Sequence, residues 1–81
     1  MGKIMFTDHQ AKGALLNGTL VEKQNSEKAD GHRDGELGKI VGSMGPLDAP
    51  VLGARYGYFV IWDGTPEVPV FTMETKVKEI I

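Results

Sequence analysis

The chain has 81 residues, enough for one small domain that buries only about 60% of the surface its unfolded form exposes. It contains no cysteine, which excludes disulfides, thiolate nucleophiles and zinc sites built on thiolates, and suits a reducing compartment. Nine basic against eleven acidic side chains leave a net charge of −2, and the basic residues are scattered, so an electrostatic grip on a phosphate backbone is not expected.

The first residues carry no apolar h-region and no small-residue cleavage site, so no secretory signal is expected. No run approaches the roughly 20 apolar residues that span a bilayer. The expectation is a soluble cytoplasmic protein without membrane contact. Eleven glycines and four prolines favour short strands and turns over long helices. Ile4-Met5-Phe6 reads as a short strand. Thr7 and Gln10 have the spacing of a capping box ahead of Ala11, Ala14 and Leu15, which share one helical face that Asn17-Gly18 would end. Gly13 weakens that helix by about 1 kcal/mol against Ala. The same residues also read as a type I′ hairpin, with Asn17-Gly18 joining 14–16 to 19–21. The balance favours a turn, or a single helical turn, leading into the first strand.

From residue 19 the pattern is clearer. Residues 19–23 form a strand and 24–36 a long polar loop. Residues 37–44 form a second strand, with Ile40 and Met44 on one face and Val41 on the other, stopped by Gly45-Pro46. A second long loop covers 46–55. Residues 56–62, nearly all aromatic or β-branched, give the strongest strand signal. Asp63-Gly64 turns the chain and 68–73 returns. Pro69 within that return points to an edge position or a bulge. Residues 74–76 make a short turn and 77–81 close the chain.

Gly18-Thr19-Leu20-Val21, Gly38-Lys39-Ile40-Val41, the run from Tyr58 to Gly64 and the strand pair after Val70 together resemble the SH3-like small barrel. Val60-Ile61-Trp62-Asp63-Gly64 is similar to a strand end common in such barrels. The resemblance covers roughly residues 16–81 and implies an all-β barrel of five or six short strands, with 17–81 as barrel and 1–16 as an N-terminal extension. It does not imply binding of proline-rich peptides. The acidic loop with its Ala-Leu-Tyr-Asp-Tyr-like segment and the Pro-Tyr pair of signalling SH3 domains are both missing. Residues 73–77 are similar to the hairpin that presents a lipoyl- or biotinyl-lysine, but the residue before Lys76 is Thr75 and too little chain follows.

The densest polar cluster is Asp30-Gly31-His32-Arg33-Asp34-Gly35-Glu36. As a calcium loop it fails at two ligands, His32 at position 3 and Val41 at position 12. As a transition-metal site, His32 with Asp30 or Asp34 would supply donors, and the other histidine, His9, is not brought near by any pattern. Otherwise it is a solvated loop. Neither serine, Ser26 or Ser43, lies in a nucleophile elbow. Gly42-Ser43-Met44-Gly45 has the form of the RNA-clamping Gly-x-x-Gly loop without its helices. Asn17-Gly18-Thr19 spells a glycosylation sequon that reads better as a turn. No catalytic residue, cofactor, metal site or small-molecule substrate is expected.

Within the strongest strand, Tyr58, Val60 and Trp62 point one way, and Phe59 and Ile61 the other. A barrel this small has one interior, so one set needs other cover. Ile4-Met5-Phe6 or a long loop would supply it in one reading. In the functional reading, Tyr56, Tyr58 and Trp62 form an exposed patch that meets a protein partner or a second copy. The leading expectation is a non-enzymatic binding or adaptor module, or an accessory subunit, using this strand and the 24–36 loop. RNA or single-stranded DNA bound by stacking on aromatics is the alternative, and a metal-dependent site at Asp30, His32 and Asp34 ranks third.

Overall fold

A computed structural model describes residues 9–46 and 54–80. The expected strand Ile4-Met5-Phe6, the capping residue Thr7 and most of the 46–55 loop lie outside the described residues. Five strands follow in chain order: β1 Leu20–Lys23, β2 Leu37–Met44, β3 Gly57–Trp62, β4 Pro69–Met73 and β5 Val77–Glu79, with a 3-10 turn at Glu74–Lys76 before the last. They form one antiparallel sheet in the order β4-β3-β2-β1-β5. The chain is a small all-β domain. No helix among the described residues is long and apolar enough to cross a membrane.

β3 is a strand because its β-branched and aromatic side chains fit a pleat at period two. Tyr58, Val60 and Trp62 are buried, while Phe59 and Ile61 are half-buried on the opposite face. The buried set meets Val21 of β1, Ile40 of β2 and Val77 of β5 in one cluster, with Val70 of β4 packed against it. One hydrophobic cluster therefore draws side chains from every strand of the sheet, Val70 of β4 and Val77 of β5 included. Trp62 lies flat across Gly38, where a Cβ would come within 2.7 Å of both Trp62 Cε3 and Val60 Cγ1. Glycine at that position lets the largest side chain reach the centre. Pro69 opens β4 at the edge of the sheet, where its missing N–H leaves no ladder bond unmade.

One expected alternation is overturned. Ile40 and Met44 do not share a face, because the register slips at Val41. Ile40 pairs with Val60, yet Gly42 pairs with Phe59, leaving Val41 as the extra residue of a β-bulge. After the bulge the phase reverses. Ser43, opposite Tyr58, turns inward and is fully buried, and Met44 turns outward opposite Gly57.

Residues 9–18 form neither the longer helix nor the hairpin strand that the sequence left open, and take turns leading into β1, the reading the sequence favoured. They run across the inner face as a strap of turns. Gly18, in the left-handed region at φ +97°, closes a turn in which the Thr19 amide donates to the Leu16 carbonyl. Asn17 lacks the positive φ that a type I′ turn requires. Gln10 does not cap a helix. Its side chain instead bridges this turn, accepting from the Asn17 amide and donating to the Leu15 carbonyl. Ala11 is buried, and Ala14 and Leu15 pack beside it on the core.

Candidate functional site

The three aromatic residues expected at an exposed patch are buried instead. Relative exposure is 8% for Tyr56, 2% for Tyr58 and 0% for Trp62. For the two tyrosines the physical reason is the strap, which needs their hydroxyls. The Tyr56 hydroxyl donates to the Lys12 carbonyl at 3.0 Å, and the Tyr58 hydroxyl accepts from the Leu15 amide at 3.0 Å. Ser43 Oγ accepts from the Ala11 amide, and the Trp62 indole donates to Thr72 Oγ1. Burial pushes the Tyr58 hydroxyl above the ordinary phenol range, against the pull of the Leu15 amide. The patch expected from these three residues is thus interior, and exposed apolar surface must be sought on the other face.

The polar loop 24–36 is folded onto the domain by charges. β1 ends on its inner face with Lys23, a lysine only 4% exposed. Its ammonium donates to Asp30 Oδ2, Ser26 Oγ and the Gln24 carbonyl, which uses all three of its donors. Asp30 Oδ2 also accepts from Lys76 Nζ at 2.7 Å and from the Glu27 amide. The Lys76 hydrogen bond, followed by the Glu27 amide, holds the Asp30 carboxyl far below the usual carboxylate range. The same pair raises Lys76. Asp34 accepts from the Ser26 amide, and hydrogen bonding by Ser26 holds its carboxyl below the usual carboxylate range too.

The other end of the loop is tied to the β3–β4 turn. Glu36 accepts from the Gly64 amide at 2.7 Å and pairs with His32 Nδ1 at 2.9 Å. Burial works against the Glu36 carboxylate, but the Gly64 amide and His32 outweigh it and the group sits below its ordinary value. His32 is buried against Trp62, with ring centroids 5.5 Å apart. Asp30, His32 and Asp34, the third-ranked metal donors, thus each point to a different protein partner. No group of three or more His, Asp or Glu among the described residues could hold a metal ion. Lys76 is committed to Asp30 and Glu27, unlike a lysine displayed for lipoylation.

The unexpected site is the outer face. Register places Leu20 opposite Lys39 and Lys39 opposite Ile61, with the Ile80 amide bonded to the Leu20 carbonyl. Leu20, Leu37, Val41, Ile61 and Ile80 surround a concavity of about 520 Å³ whose charged members are Lys39 and Asp63. Leu20 is 56% exposed, Leu37 48% and Ile80 41%. The sequence signal lay in β2, where Leu37 and Val41 flank Lys39 on the face away from Ile40. A second, smaller recess of about 190 Å³ lies between β4 and the 24–36 loop, beside Lys76 and His32. No family model matches the chain, and comparison with curated proteins and with solved structures finds no similar one.

Proposed function

We propose that the chain is a non-enzymatic protein-binding module of the SH3-like barrel type, working in the cytoplasm and engaging its partner through the outer face of β1, β2, β3 and β5. The barrel assignment draws support from the strand order β4-β3-β2-β1-β5 and from the 3-10 turn that leads into the last strand. The functional reading rests on one observation. Leu20, Leu37 and Ile80 stand substantially exposed around a single concavity, and contiguous exposed apolar surface marks an interaction site. Nucleic-acid binding has less support, since the residues it needed for stacking, Tyr56, Tyr58 and Trp62, lie in the core.

The test is affinity capture from the native host with the wild-type chain and with Leu37→Glu. Leu37 is half exposed, so the variant keeps the wild-type circular dichroism and melting temperature. A partner held by the wild type and lost by the variant is the expected result. Capture of the same proteins by both overturns the reading.

A further inference from the structure

We propose that the occupant of the outer concavity is a second copy of this chain, docked about a two-fold axis. The inference rests on the protein-binding reading above and names its partner. The charge pattern on the apolar face favours this occupant. Lys39 of β2 and Asp63, the residue after β3, both line the concavity and are both exposed. Neither side chain forms an ion pair among the described residues. They are near neighbours, since Lys39 pairs with Ile61 and the Asp63 amide bonds to the Leu37 carbonyl. Even so, they remain more than a salt-bridge length apart within one chain.

In a two-fold interface, residue i meets residue j of the other copy and j meets i. One free lysine and one free aspartate on the same patch then make two intermolecular pairs, with no charge left over. The rim repeats this balance, because Glu22 of β1 stands opposite Lys78 of β5. The face as a whole carries both signs equally. A strongly acidic or strongly basic partner would leave half of these charges facing their own sign, whereas an identical copy sets Lys39 against Asp63 and Asp63 against Lys39. The apolar residues around them, Leu20, Leu37 and Ile80, supply the desolvated centre that such an interface needs.

The experiment is sedimentation equilibrium of the full chain from about 1 μM to about 1 mM, the range of weak to moderate self-association. The wild type is expected to dimerise and Leu37→Glu to remain monomeric. Lys39→Asp and Asp63→Lys each set like charges against each other twice per dimer. Each alone should raise the dissociation constant at least about tenfold. Mixed in equal amounts, the two variants pair Asp at 39 with Lys at 63 and leave the native pair on the other side, so a heterodimer forms with near wild-type affinity. That rescue also shows that both variants fold. A wild type that stays monomeric across the range, or variants that mixing does not rescue, overturns the proposal. If the wild type is monomeric and Leu37→Glu still abolishes capture of a different protein, the second copy is refuted while the protein-binding reading stands. If Leu37→Glu dimerises and captures as the wild type does, both fail.

Discussion

Lys23 occupies a position that the alternation of β1 would give to an apolar side chain, opposite Val77 and on the same face as Val21. A buried ammonium is tolerated only when its donors are satisfied and its charge is matched. Asp30 provides the charge and shares it with Lys76, which makes the 24–36 loop part of the fold. The pH dependence of stability follows from the directions of these shifts. Asp30, Asp34 and Glu36 are all lowered, so each contributes stability that is present above the unfolded carboxylate range near about 4 and is lost as pH falls through the folded value. Lys76 and Tyr58 are raised, so their contributions are complete below about 10 and are lost as pH rises through their folded values. Urea midpoints followed by Trp62 fluorescence should form a plateau that falls on both sides. Asp30→Asn is expected to lower the plateau, because Lys23 and Lys76 lose their anion, and to flatten the acid limb. An acid limb as steep as wild type would place its origin elsewhere. The sequence showed the loop's charges but not this arrangement. Nothing in the spacing of Lys23, Asp30 and Lys76 announces that a strand end, a loop and a 3-10 turn converge.

β2 carries most of the architecture, pairing with β1 along its first half and with β3 along nearly all of its length. Its bounds were legible, since Leu37 starts the apolar run and Gly45-Pro46 stops it. The bulge at Val41 was not, because a slipped register adds no distinctive residue and is decided by the partner strand. One consequence was mistaken sidedness for Met44. Another was the missed inward turn of Ser43, whose hydroxyl anchors the Ala11 amide. Gly38 shows the opposite case, a residue whose reason is visible only once Trp62 is placed over it. Gly38→Ala forces a methyl into the indole and Val60, and overpacking of this kind costs about 1–3 kcal/mol. Denaturant unfolding measures that loss, and a change below about 0.5 kcal/mol, the range of ordinary surface substitutions, would show that the sheet yields at this point.

At the scale of the molecule, the sequence made the all-β class and the strand ranges readable, because glycine, proline and β-branched residues act locally. It left open which face of β3 was inner. Both faces are apolar, and the choice depends on the strap formed by residues 9–18. Tyr56, Tyr58 and Trp62 looked like recognition residues because they are large and aromatic. The structure uses them as core, with the tyrosine hydroxyls turned to the strap and the Trp62 indole to Thr72, and leaves Leu20, Leu37 and Ile80 exposed on the outer face. Recognition, in the reading proposed here, belongs to Leu20, Leu37 and Ile80 around one lysine and one aspartate.

The strap also has a kinetic consequence. Its bonds join residues 32, 43 and 44 positions apart, Ala11 to Ser43, Leu15 to Tyr58 and Lys12 to Tyr56. Contacts this remote in sequence require the intervening chain to be ordered before they form, which slows folding and places them late on the pathway. Removing one should therefore speed unfolding and leave the folding rate nearly unchanged. Tyr58→Phe, which deletes the acceptor of the Leu15 amide, tests this in stopped-flow refolding and unfolding. An unfolding limb raised by about fivefold, the equivalent of about 1 kcal/mol, beside an unmoved folding limb is the expected chevron. A slowed folding limb would put the strap in the nucleus. With the folding limb unmoved, the residues that close the core are the last to arrive and the first to leave.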